Sequence, residues 1–198
     1  MSTGALRSQP TGDLTGRKVR LRAIDPGDHQ RLIRFDRDST GAPRVAGYQH
    51  WAAHRANAAG IGDSSHFAIE TLHSRMLVGS MWTVQIDAHA RRFGYGIGIG
   101  SQHRRCGYAS DAIAALLAHM FSEGRYRICE VGIHSRNVAS RTLHARLGFH
   151  EESRQRDIVR MYLAAPTFAE LHPHLTPAGR GRHWRPRRGQ HWHPGHLR

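Results

Sequence analysis

The stretch Ile97-Gly98-Ile99-Gly100-Ser101-Gln102-His103-Arg104-Arg105-Cys106-Gly107-Tyr108-Ala109 decides how this chain is read. Isoleucine alternates with glycine up to Gly100, as at the end of a strand. A short basic loop follows. Gly107 then opens a segment in which Ala109, Ile113, Leu116, Leu117 and Met120 recur at spacings of three and four. Those spacings place them on one face of a helix over 108–121. The first backbone N–H groups of a helix lack internal acceptors, and the helix dipole makes that end positive, so the junction suits an anion. Gly107 lets a phosphate approach the backbone, and Arg104 and Arg105 add charge. The same residues also suit an ordinary helix start with a solvated arginine pair. No Gly-Lys-Ser/Thr is present, which excludes a Walker loop. GxGxxG is absent and strands precede the junction rather than alternating with helices, which argues against a dinucleotide fingerprint.

Upstream of the junction the pattern is mostly strand. Lys18-Val19-Arg20-Leu21-Arg22 alternates polar and apolar, and His66–Thr71, Met76–Ile86 and Arg92–Ile99 form a run with short polar connections. Between the first strand and that run, Asp28 caps a helix carrying Leu32, Ile33 and Phe35, residues 38–47 form a loop, and His50–Asn57 reads as a helix. Downstream come a strand over 127–133, a helix over 137–147 stopped by Gly148, and a strand over 158–163. Strands followed by helix, strand, helix and strand give an α/β or α+β sheet covered by helices. Residues 1–15 read as a flexible leader, 16–166 as one domain, and 167–198 as a basic His/Arg-rich disordered tail.

The 198 residues suffice for one domain with a full core. No run approaches the roughly 18–20 apolar residues of a membrane span, and no apolar signal core opens the chain, so a cytoplasmic protein without membrane contact is expected. Cys106 and Cys129 make no disulfide framework and lack metal-ligand spacing. The histidines of His191-Trp192-His193-Pro194-Gly195-His196 read as adventitious ligands, so no metal is expected. The net charge of +14 favours anionic partners, nucleic acid or a polyphosphate ligand. Arg180, Arg182, Arg185, Arg187, Arg188 and Arg198 place six of those charges in the tail, beside Trp184 and Trp192. Arginine on phosphates and tryptophan stacked on bases would suit nucleic acid there, but the rest of the chain carries no nucleic-acid module. Nucleic acid is therefore kept as a partner of the tail rather than the main function. Oligomeric state leaves no signature.

Two blocks carry a family resemblance. Arg104-x-x-Gly107-x-Ala109 resembles the pyrophosphate-binding (Gln/Arg)-x-x-Gly-x-(Gly/Ala) signature of the GNAT superfamily of N-acetyltransferases. Asn137-Val138-Ala139-Ser140-Arg141-Thr142-Leu143-His144-Ala145-Arg146-Leu147-Gly148-Phe149 resembles the Asn-x-x-(Ser/Ala)-x-x-Leu-(Tyr)-x-x-x-Gly-Phe helix of the same superfamily. With the strand Glu130–Ile133 between them, the match covers residues 18–163. Its closest flavour is the branch of Rim-type ribosomal-protein N-terminal acetyltransferases and spermidine acetyltransferases.

The resemblance implies a mixed, mostly antiparallel sheet with flanking helices and one splayed strand pair, with the pantetheine arm of acetyl-CoA in the gap. It implies direct acetyl transfer to a primary amine, either a protein N-terminus or a small molecule. Ile97, Gly98 and Ile99 would offer backbone hydrogen bonds to the arm, or pair as ordinary sheet. Arg104, Arg105, Cys106, Gly107, Tyr108, Ala109 and Ser110 would hold the pyrophosphate. Asn137 would bond the pantetheine region, or cap its helix, or both. Ser140 and Arg141 would reach the phosphates, or lie on a solvated surface. His144 stands where many relatives carry the tyrosine that protonates the leaving thiolate, so it is the candidate general acid, with plain packing as its alternative. Where relatives often place a glutamate, this chain has Gly94. Asp87, Glu70 and Glu130 are the carboxylates left to act through water, and the base stays unassigned. A catalytically degenerate relative that only binds an acyl-CoA is the other reading of these departures. The second helix and the loop Ser39–Gly47 are expected to shape the acceptor site.

Overall fold

The computed structural model describes residues 14–40, 64–122 and 126–175. Eight strands form one sheet: β1 (Leu14–Thr15), β2 (Val19–Ala23), β3 (Ser64–Thr71), β4 (Leu77–Asp87), β5 (Arg92–Ile99), β6 (Ile128–His134), β7 (His150–Gln155) and β8 (Ile158–Ala164). Their order is β1-β2-β3-β4-β5-β6-β8-β7. The helices are α1 (His29–Thr40), α2 (Tyr108–Ser122), α3 (Val138–Arg146) and α4 (Ala165–Leu171).

All neighbouring strands run antiparallel except β5 and β6, because α2 intervenes and returns the chain in the same direction. That exception creates the gap. β4 and β5 stay paired along their length, from Gly79 opposite Ile99 to Asp87 opposite Arg92. β5 and β6 pair only where Arg92–Gly94 meet Ile128–Glu130. Beyond Gly94 the two strands part, which is the splayed pair that the family resemblance implies.

The period-two alternation of the strands sorts their side chains between two faces. Val19, Leu21, Phe67, Ile69, Phe93, Tyr95, Cys129, Val131, Met161 and Leu163 lie in one core with the buried stripe of α2: Ile113, Leu116 and Leu117. On the other face Leu32 and Phe35 of α1 close a smaller cluster over Ala68 and Leu77. A buried ionic knot ties β2, β3 and the turn before α1. Arg22 grips Asp28 with both terminal guanidinium nitrogens, at 2.6 and 3.0 Å, while its Nε and the Nε of Arg20 bond Glu70 at 2.6 and 2.9 Å.

Several expectations shift by a residue or two, and some more. α1 runs on to Thr40, past the point where a loop was expected. The expected tail contributes α4, whose Phe168 is 1% exposed within the main core, so the packed unit extends past residue 166. Strands β1 and β7 were not anticipated. The expected helix His50–Asn57, the leader up to residue 13, most of the Ser39–Gly47 loop and the tail beyond residue 175 lie outside the described residues. Among the described residues no helix is long and apolar enough to cross a membrane.

Candidate functional site

The gap between β5 and β6 opens toward the basic loop and the start of α2. A short 3-10 turn over Ser101–His103 leaves β5, and Gly100 is anchored by its N–H on the Val78 carbonyl at 2.9 Å. The loop then turns through two left-handed residues, Arg105 at φ 63° and Gly107 at φ 80°. Gly107 is needed there, since left-handed backbone penalises a Cβ. A Cβ would also point into the mouth of the loop, 3.1 Å from Lys18 Nζ. The first hydrogen bond of α2 runs from Asp111 N–H to the Gly107 carbonyl at 3.2 Å, so the N–H groups of Tyr108, Ala109 and Ser110 precede any acceptor within the helix. Arg104, Arg105, Cys106 and Gly107 are exposed, and Tyr108, Ala109 and Ser110 half-buried. Loop and helix start thus form one basic, donor-rich cradle, in which a glycine leaves the room a bulky anion needs. These residues fit a pyrophosphate.

The sequence reading missed what fixes this cradle. The Asp111 carboxylate accepts the backbone N–H groups of Arg17 at 2.9 Å, Lys18 at 2.7 Å and Val19 at 2.9 Å. These partners stand more than ninety positions away in sequence, beyond any local pattern. The clasp binds the start of β2 to the start of α2. Lys18 then reaches over the loop, and its Nζ donates to the Cys106 carbonyl at 2.9 Å.

The second block sits on the far side of the gap. Asn137 caps α3, its side-chain oxygen accepting the Ser140 N–H at 3.1 Å, so the capping alternative is realised and its amide nitrogen is left over among the described residues. The Gly-Phe that ends the block stops the helix. Gly148 is left-handed at φ 99°, its N–H donates to the Ala145 carbonyl, and Phe149 N–H returns to the His144 carbonyl, each at 3.0 Å. Arg141 is committed elsewhere, to Glu151 on β7.

His144 is 3% exposed, stacked on Tyr95 at 5.8 Å between centroids and edge-on to Phe149 at 5.1 Å. Its Nδ1 lies 2.7 Å from the Ser140 carbonyl oxygen. A carbonyl only accepts, so Nδ1 carries the proton. Burial pushes its pKa below the usual histidine value, partly offset by that bond to Ser140. The Tyr95 hydroxyl is buried with no hydrogen-bond partner among the described residues, and burial, then the nearby Cys129, raises its pKa well above the ordinary phenol value. No sequence pattern marked Tyr95.

The three spare carboxylates are all engaged. Burial would raise the pKa of Glu70, but its bonds to Arg22 and Arg20 win and hold it below the usual range. Glu130 lies between Arg92 and Arg160, 3.3 Å from each. Asp87 accepts the Ala90 N–H at 2.9 Å in the β4–β5 turn. On the α1 side of the loop, a hollow of about 250 Å³ is lined, among the described residues, by Arg31, Arg34, Phe35, Met76, Leu77, Gln102 and His103, none of them a carboxylate.

Comparison with known proteins agrees with this geometry. The family model described as an acetyltransferase (GNAT) domain matches residues 18–150. The "SPbeta prophage-derived uncharacterized N-acetyltransferase YokL" of Bacillus subtilis (strain 168) is 30% identical over 156 residues, covering 73% of this chain and 83% of that protein. Among solved structures, the nucleotide-linked sugar GNAT FdhC superposes with a TM-score of 0.68 at 13% identity, over 82% of this chain and 95% of that one. The spermidine N-acetyltransferase of Vibrio cholerae, in complex with CoA and spermine, gives 0.61 at 20% identity, over 76% and 97%.

Proposed function

The chain belongs to the GNAT family of acetyltransferases, and from that premise we propose that it transfers an acetyl group from acetyl-CoA to a primary amine. The observation that carries the proposal is the cradle at Arg104–Ser110, where left-handed Gly107 stands at the mouth of a gap between two parting strands. Acetyl-CoA, when bound, supplies an activated thioester. Arg104, Arg105, Cys106, Gly107, Tyr108, Ala109 and Ser110 hold its pyrophosphate through backbone N–H groups and positive charge. The edge of β5 that β6 leaves free, at Ile97, Gly98 and Ile99, offers main-chain groups to the pantetheine arm and a donor for the developing oxyanion. The Asn137 amide nitrogen faces the same task from the other side. Ser140 serves mainly to orient His144 through its carbonyl. Arg141, paired to Glu151, reaches a phosphate only by giving up that pair.

His144 handles the proton at the reacting centre, in a form that differs from the general acid expected from sequence. Its Nδ1 proton is spent on Ser140, and burial keeps the ring neutral at pH 7. Nε2 is then a lone-pair acceptor, suited to accept a proton from the incoming ammonium. The freed amine attacks the thioester carbonyl, the C–S bond breaks, and the leaving thiolate takes up the second proton that the amine gives up. The amine's chemical class follows from charge. Among the described residues the hollow beside α1 presents two arginines and no carboxylate, which favours a neutral or acidic acceptor over a polycation.

A second reading has its own support. Glu70, Glu130 and Asp87 are all taken up by structural bonds, which fits a relative that binds an acyl-CoA without turning it over. Incubating the full chain with acetyl-CoA and a panel of amines, including an N-terminal peptide, a polyamine and an acidic amine, separates the two. Release of free CoA thiol together with an acetylated amine supports the transferase. Saturable CoA binding with no thiol release above the uncatalysed rate, for every amine tried, supports the binder.

A further inference from the structure

An acid in the first turn of a helix that is to hold a pyrophosphate is a contradiction, because Asp111 would repel the ligand. The structure resolves it by occupying that carboxylate. Both oxygens face backbone N–H groups of Arg17, Lys18 and Val19. The Lys18 backbone is pinned on its other side as well, where its carbonyl accepts the Leu72 N–H at 2.9 Å. A lysine held so firmly at its main chain has its side chain aimed by the fold. Its Nζ ends 2.9 Å from the Cys106 carbonyl, and 3.1 Å from where a Cβ on Gly107 would stand. The space that Gly107 keeps open is therefore bordered by an ammonium with two protons unused among the described residues. That ammonium also occupies the Cys106 carbonyl, an acceptor that would repel an anion brought close to it.

We propose that Lys18 is a pyrophosphate-binding residue of this site, positioned by Asp111, and that its ammonium bridges the Cys106 carbonyl and a phosphate oxygen. The inference rests on the acetyl-CoA reading above and adds a residue from the turn before β2, which neither signature block contains. Arginine would serve less well, since a planar guanidinium needs a fixed fork of acceptors whereas an ammonium acts as a point charge.

The test is calorimetric titration of CoA and of 3′-dephospho-CoA into the full chain and into Lys18→Met, at about 0.05 and about 0.5 M salt. Melting temperatures confirm that the variant is folded. The expected result is an affinity loss of roughly tenfold for both ligands at low salt, the size of one lost charge-assisted hydrogen bond. The gap should narrow at high salt, and Lys18→Arg should recover part of it. Equal affinities of wild type and a folded Lys18→Met would overturn the proposal while leaving the acetyl-CoA reading intact. So would a loss seen with CoA but not with its dephospho form, which would assign Lys18 to the 3′-phosphate, or a loss independent of salt, which would make it a loop brace. Failure of the wild type to bind either ligand would overturn both readings together.

Discussion

Replacing Asp111 by alanine isolates the clasp that joins the N-terminal strand to the helix behind the cradle. Three backbone donors lose one charged acceptor. A hydrogen bond to a charged group contributes about 1.5–3 kcal/mol, but Arg17 and Lys18 are exposed and water replaces part of their loss. Val19 is 0% exposed and bears the larger penalty. Removing an acid from the first turn costs a further 0.3–1 kcal/mol or so, and alanine's helix propensity returns about half a kcal/mol. The sum is about 3 kcal/mol, or roughly 6–12 °C in melting temperature for a chain of this size. Thermal unfolding followed by circular dichroism measures it. Gly16→Ala provides a check from the opposite side, because its Cβ would lie 2.4 Å from Asp111 Oδ2 and must displace the carboxylate. The two substitutions break one feature, so the double variant should cost clearly less than their sum. A drop of under about 2 °C for Asp111→Ala, or full additivity with Gly16→Ala, would refute this account of the clasp.

Phe168→Ala should cost about 3–5 kcal/mol, because its side chain lies 1% exposed in the main core; a melting temperature within 2 °C or so of wild type would return α4 to the tail. Glu70→Gln should lower the melting temperature at neutral pH, but its difference from wild type should shrink in acid. The folded-state pKa values of Glu70 and Asp28 are depressed, so their stabilisation is complete above the ordinary carboxylate values near about 4 and is lost as pH falls through the lower folded values. Acetyl transfer, with kcat/KM followed against pH, should fall only below the usual histidine value of about 6.5, as neutral His144 becomes protonated. A decline with rising pH through that window would instead make histidinium the active form. His144→Gln should lower the rate by roughly two orders of magnitude or more while leaving CoA affinity within about twofold.

The parts of the fold with strong local periodicity could be read directly. The stripe of α2 and the strands β4 and β5 appear at nearly their observed bounds, since burial of one face sets the period of α2 and polar turns bracket the two largely buried strands. β7 left no trace, because every residue of His150–Gln155 is exposed at the sheet edge and none of the alternation that burial imposes is present. α4 has seven residues and a single buried anchor, too few for a period to show. At the site, the chemistry carried by contiguous residues was visible: the loop Arg104–Ala109, the cap Asn137 and the stop Gly148. What depends on distant partners was not. Lys18 and Asp111 meet across the fold, Tyr95 has no distinguishing neighbour in sequence, and the protonation of His144 follows from burial that only tertiary packing creates.

Calorimetric titration of acetyl-CoA into the full chain, beside Gly107→Glu, is the most direct measurement of what this molecule is for. A glutamate at a left-handed position costs about 1–2 kcal/mol of backbone strain, which a domain of this size tolerates, and puts a carboxylate where the pyrophosphate would lie. Saturable one-to-one binding in the micromolar range, abolished in a folded Gly107→Glu, is the predicted result. No binding by the wild type, or equal binding by the variant, would contradict an acetyl-CoA site in this cradle.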